Sequence, residues 1–300
     1  MTLWIPLTIA AAFLQNLRTA LQKAIKGRLS TTGAAYSRFF YAWPLALLYL
    51  WGLVEFGGYE LPEINGWFLL FCFLGGISQI LFTVILLWLF SFRSFAVGTT
   101  FSKLEVVLIA AIGAVLLGDT LTGWAIVAIA VGAVGTVVLA MQETKLTLGG
   151  LMRGLGEKAT AVGLLSAATL GASVVFFRAA GLSLEAPVII SAAYALAVSL
   201  VMQTVMMGAW FIAFDRPQLA AVIREWRRAV PVGVTGMLGS VCWFTAFTLQ
   251  NAAYVRAVGQ IELIFTFIAS VFFFKETISR SEIAGILLIL AAILLILLAA

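Results

Sequence analysis

Ten apolar stretches of about 20 residues follow one another along this 300-residue chain, each long enough to cross roughly 30 Å of hydrocarbon. They run over 3–24, 33–54, 66–90, 95–116, 121–141, 159–181, 186–213, 230–250, 254–274 and 279–299. Inside a bilayer no water bonds the backbone amides, so only helices or closed barrels can span it. The runs are continuous and lack the two-residue alternation of a barrel strand, so the sequence predicts helices. Charged residues make up only 10% of the chain. A water-facing domain usually needs about 25%, so no extramembrane domain is expected.

The charges that remain lie mostly between the runs, and they alternate. Lys23, Lys26 and Arg28 follow the first run, and Arg93 follows the third. Lys145, Arg153 and Lys158 follow the fifth, Arg216, Arg224, Arg227 and Arg228 the seventh, and Lys275 and Arg280 the ninth. The second link instead carries Glu55, Glu60 and Glu63, and the fourth carries Asp119. Basic links face the cytoplasm, so the odd links are predicted there and both termini on the other side of a cell inner membrane. The net charge of +5 has no basic tract to carry nucleic acid. Met1-Thr2-Leu3-Trp4 lacks the basic start of a cleavable signal, so the first run is expected to be retained as a helix.

The chain also repeats itself. Adding 157 to Lys103, Glu105, Asp119 and Thr120 gives Gln260, Glu262, Glu276 and Thr277. Residues 1–145 and 159–300 are therefore read as two five-helix repeats joined by a cytoplasmic linker, 146–158. An odd number of spans per repeat makes the second inverted relative to the first. The expected fold is an all-α membrane protein, ten transmembrane helices as two inverted five-helix repeats around a central cavity.

The phrases Leu116-Leu117-Gly118-Asp119-Thr120-Leu121 through Gly132-Ala133-Val134-Gly135, and Phe273-Phe274-Lys275-Glu276-Thr277-Ile278 through Gly285, resemble the EamA-like branch of the drug/metabolite transporter superfamily. Val106 and Leu263 stand where that family often has a proline after the acid. The resemblance implies export of amino acids, other metabolites or drugs without a nucleotide-driven domain.

Ionisable groups inside a spanning helix are costly and call for a partner or a role. Gln15, Arg18, Thr19 and Gln22 form one stripe of the first span, which is expected to face the cavity. Gln79 and Thr83 share a face of the third span, and Thr99 and Lys103 a face of the fourth. The ninth span repeats the pattern with Arg256, Gln260 and Glu262. Glu105 and Glu262 either neutralise Arg18, Arg38 or Arg256, or bind a proton or a substrate amine. Trp243 and Phe247, four apart, either stack on a substrate or simply pack. Gln250 and Asn251 close the eighth span. Asp119 and Glu276 are expected to cap the helices that follow them. Ala128, Gly132 and Thr136 would allow close helix contact.

The chain has no histidine, no phosphate loop and no nucleophile elbow. It is therefore predicted to be no enzyme, to need no cofactor or metal, and to have no obligate protein partner. Its partners are the lipid bilayer and a small-molecule substrate. The amphoteric set favours an amino acid leaving the cell, carried by alternating access through a secondary transporter or facilitator. A flippase or exporter of lipid-linked or drug-like cargo, and a non-transporting structural membrane protein, are the alternatives.

Overall fold

A computed structural model of the chain describes residues 3–25, 28–89, 100–143, 146–265, 268 and 280–299. Every regular element among them is helical: α1 (Trp4–Ile25), α2 (Thr31–Phe40), α3 (Trp43–Glu55), α4 (Gly66–Leu89), α5 (Glu105–Leu117), α6 (Gly123–Glu143), α7 (Leu148–Arg153), a 3-10 turn (Gly154–Gly156), α8 (Lys158–Leu182), α9 (Val188–Phe214), α10 (Arg216–Arg224), α11 (Trp226–Leu249), α12 (Ala252–Gly259) and α13 (Arg280–Ala299). Six of these are long and apolar enough to cross a membrane: α4, α6, α8, α9, α11 and α13. The chain is a multi-pass membrane protein.

Three of the expected spans are interrupted. The second is two helices meeting at Tyr41–Ala42, where Pro44 opens α3 and has no amide hydrogen to continue α2. The fourth turns at Lys103–Leu104 before α5 begins. The ninth turns at Gln260, after α12 ends and before the helical residues 261–265. The seventh link is no bare loop either: it folds into α10. Asp215 caps that helix by accepting from the Gln218 amide at 3.3 Å.

The chain divides into two compact units, each drawing on both halves of the sequence. The first comprises Met1–Ile77 and Phe176–Gln250. Its core gathers Phe39, Phe68, Cys72, Phe177, Leu196 and Phe244. There α11 packs along α1, while α9 packs on α3 and α11. The glycines of α11 permit this approach. A Cβ on Gly239 would lie 3.3 Å from Leu14, and one on Gly233 would collide with Tyr41 at 2.4 Å.

The second unit comprises Ser78–Val175 and Asn251–Ala300. Its main contact is α6 on α13, and here the small-residue spacing acts as expected. Ala128 and Thr136 are buried, and a Cβ on Gly132 would sit 3.2 Å from Ala292. Gly135 and Gly285 bring the two backbones together, with a Cβ on Gly135 only 2.9 Å from the Gly285 carbonyl. Between α5 and α6, Gly118 takes a left-handed φ of 66° and the Asp119 amide donates to the Gly113 carbonyl. The cap on α6 comes from Thr122, whose Oγ1 accepts from the Ala125 amide at 3.2 Å. The acid one turn earlier was expected there; the reversal after Gly118 leaves Thr122 three residues before Ala125, the spacing a cap requires.

Candidate functional site

In the first unit the polar stripe of α1 is distributed among distinct tasks. Gln15 accepts through Oε1 from the Trp243 indole Nε1 at 3.2 Å. The Trp243 ring stacks on Phe247, with centroids 5.4 Å apart and planes at 15°. Both aromatics are buried, so each ring already covers a face of the other. Gln22 donates to the Ala34 carbonyl at 3.0 Å and ties α1 to α2. Thr19 is exposed and returns its hydroxyl to the Gln15 carbonyl at 2.8 Å. Arg18 lies deeper in the unit: its Cδ and the Cγ of Arg38 each stand 3.4 Å from the position a Cβ would take on Gly236.

The second unit holds the ionic set. Arg256, at the end of α12, donates through Nη2 to Glu105 Oε1, and the two side chains are 9% and 15% exposed. Glu105 opens α5, where unpaired amides at the helix start favour a carboxylate. Glu262 adds a second negative charge acting on Arg256. Of the three arginines expected to neutralise these acids, Arg256 takes Glu105. Gln260 is buried at the turn, and its amide oxygen lies against Gly132. Lys103 is half-buried at the other turn. Gln79 is half-buried on α4, where its carbonyl accepts from Thr83 Oγ1 at 3.1 Å. Thr99, Lys275 and Glu276 lie outside the described residues.

Reading the sequence missed two features. Arg178, half-buried near the end of α8, donates through Nη1 to the carbonyls of Phe247 and Gln250. It thus serves the last turn of α11, whose carbonyls have no partners within the helix. Asn251, expected to close α11, instead caps α12 through the Ala253 amide at 2.9 Å. A lone arginine near a span end was the available signal; which carbonyls it meets depends on α8 passing α11.

Contacts between links follow one rule. In the first unit Arg28 of the first link meets Glu225 of the seventh at 3.7 Å. Asn65 of the second link donates to the Ser183 carbonyl of the sixth at 2.7 Å. In the second unit Lys158, ending the fifth link, lies 5.4 Å over the Trp88 ring at the close of α4. Thr122 of the fourth link donates its amide to the hydroxyl of Tyr254, which follows the eighth. In each of these contacts the residues lie in or beside two odd links, or in or beside two even ones.

Residues 158–298 match the EamA-like transporter family. A solved crystal structure has the same fold over 99% of this chain and 97% of its own, with a TM-score of 0.73 at 17% identity. At that identity the likeness is one of fold. No curated protein matches the sequence.

Proposed function

We propose, starting from the match of residues 158–298 to the EamA-like transporter family, that this chain is a secondary carrier exporting an amino acid across the inner membrane by alternating access. The family match supports a membrane transporter of small molecules; the cargo and the mechanism are our reading. One observation carries it: the helix interruptions at Lys103–Leu104 and at Gln260, which fall at one repeat offset, since 260 − 103 = 157. Carriers built from inverted repeats place their sites at such breaks, where turns free backbone groups and charged side chains gather. Glu105, Arg256 and Glu262 flank the two breaks. In this reading residues 1–145 and 159–300 are the repeats, and the odd links and the linker 146–158 face the cytoplasm. Lys103, Arg256 and Gln260, with Gln79 and Thr99 from the neighbouring spans, receive the zwitterion. Gln15, Arg18, Thr19 and Trp243 line its route, and Glu105 or Glu262 exchanges a proton or the substrate amine.

Purified protein in liposomes, loaded with each amino acid in turn, tests the proposal with and without an imposed pH gradient. At least one amino acid is expected to flow, and Glu262→Gln to remove any acceleration by the gradient. Flux of a lipophilic dye with none of any amino acid would shift the reading to drug-like cargo.

A further inference from the structure

The spanning helices α9 and α11 end at Phe214 and begin at Trp226, so the nine residues of α10 lie where the hydrocarbon stops. That short helix is fixed in place. Val222 is buried with Ile25, Tyr36 and Phe211, and its carbonyl accepts from the Tyr41 hydroxyl at 3.0 Å. On the opposite face Arg216, Ala220, Ile223 and Arg224 are exposed, at the spacing of one helical stripe. Trp210, Phe214 and Trp226, at the adjoining ends of α9 and α11, are exposed as well. Tryptophans at such a level sit among the headgroups of a bilayer.

The charge on this shelf is one-sided. Its two acids are both engaged: Asp215 caps α10, and Glu225 is shared by Arg28 at 3.7 Å and Arg228 at 2.8 Å. Arg216, Arg224 and Arg227 remain, and among the described residues no carboxylate pairs with them. Arg216 turns its Nε to the Ile212 carbonyl at 2.7 Å, at the edge of α9. Arg227 stands 5.4 Å over the Trp226 ring in the first turn of α11. The partial positive charge of a helix start disfavours a cation there, and no acid stands in that turn to offset it. Three exposed cations beside exposed aromatics, on a rigid support at the edge of the spanning helices, complement a negative charge that itself lies at the bilayer surface.

We propose that this shelf binds anionic phospholipid headgroups in the leaflet on the side of the odd links. The lipid phosphates meet Arg216, Arg224 and Arg227, whose guanidinium forks match a phosphate with paired hydrogen bonds. The acyl chains meet Ile223 and Phe214, contacts that a water-soluble anion does not make. A zwitterionic lipid carries its own cation to the surface and is disfavoured. The lipid site is independent of the cargo and of the carrier reading.

The test is thermal unfolding of the purified full chain in neutral detergent at matched ionic strength. Phosphatidylglycerol, phosphatidylcholine, inorganic phosphate and polyglutamate are titrated separately. Phosphatidylglycerol is expected to raise the unfolding midpoint saturably, and the other three to leave it nearly unchanged. Replacing Arg224 and Arg227 together, by Arg224→Gln and Arg227→Gln, should weaken the apparent affinity for phosphatidylglycerol by about tenfold or more. Either substitution alone should weaken it by about fivefold, and serves if the double variant does not fold. Arg153→Gln removes an exposed arginine from the linker 146–158 and should leave the affinity within about twofold of the native value. Equal stabilisation by phosphatidylcholine overturns the proposal, as does an equal loss in Arg153→Gln or no loss in the folded arginine variants. Stabilisation by polyglutamate or inorganic phosphate as strong as by phosphatidylglycerol also overturns it, and gives the shelf to an acidic protein or to a free anion.

Discussion

Glu105 and Arg256, 151 residues apart, stabilise the second unit as a pair and burden it as individuals. Removing Arg256 leaves Glu105 as a buried charge, and removing Glu105 takes from Arg256 its nearest carboxylate; breaking a buried pair in this way costs about 3–5 kcal/mol. Glu105→Gln and Arg256→Gln should each lower the unfolding midpoint sharply. The double variant should be more stable than the sum of the two losses implies, a coupling that a double-mutant cycle in detergent measures. Glu225 offers a milder case in the seventh link. It accepts from Arg228 Nη1 at 2.8 Å, and this bond, with the charges of Arg228 and Arg28, holds its carboxyl below the ordinary 4.5. A carboxylate whose folded value is depressed stabilises fully above its unfolded value and loses that contribution as pH falls through the folded one. The difference in midpoint between the native chain and Glu225→Gln should therefore close as pH drops below about 4. Unequal midpoints at acid pH would show that the glutamate acts through something other than its charge.

At the scale of elements, glycine positions decide which helices touch. Gly135 and Gly285 let α6 and α13 meet with almost no side chain between them. Gly135→Val would drive a methyl into the Gly285 carbonyl and the Leu288 Cβ, both 2.9 Å from the new Cβ. A loss of about 1–3 kcal/mol is expected, the usual cost of overpacking, and urea or thermal unfolding reads it. Gly52, which has nothing within 4 Å of a new Cβ, should tolerate alanine in the same assay. The closeness of α6 and α13 was readable from the four-residue spacing of Ala128, Gly132 and Thr136. The breaks at Lys103–Leu104 and Gln260 were not readable, because neither contains proline, the one glycine beside them, Gly259, is a common residue in spanning helices, and the apolar runs continue on both sides. Their common offset was in the sequence, but only the backbone reveals what the repeated positions do.

For the whole molecule, the link contacts make a topological prediction that labelling can check. Arg28→Cys and Glu225→Cys should react with an impermeant thiol reagent from the same face of sealed vesicles. Glu60→Cys and Glu185→Cys should react from the opposite face, all in a background lacking the native cysteines. Arg28 already meets Glu225, and Asn65 meets Ser183, so a mixed result would contradict contacts within a single unit. If the basic links carry the positive-inside signal, the first pair is cytoplasmic. Both units draw helices from both halves of the sequence, so neither can be completed from one half alone.

The sequence by itself determined the helical membrane character, the alternation of basic and acidic links, and the repeat offset. These are local and additive: a run of apolar residues partitions into lipid whatever its neighbours do, and a lysine in a link carries its charge wherever the link lies. The tertiary structure decided the choices that depend on which helices pass each other. It gave Glu105 to Arg256, and it brought the stems of Arg18 and Arg38 to Gly236. It turned Arg178 to the end of α11 and set Trp243 against Gln15. Each is a contact between residues far apart in the chain, and a distance of that kind is fixed by packing, to which hydropathy and spacing are blind.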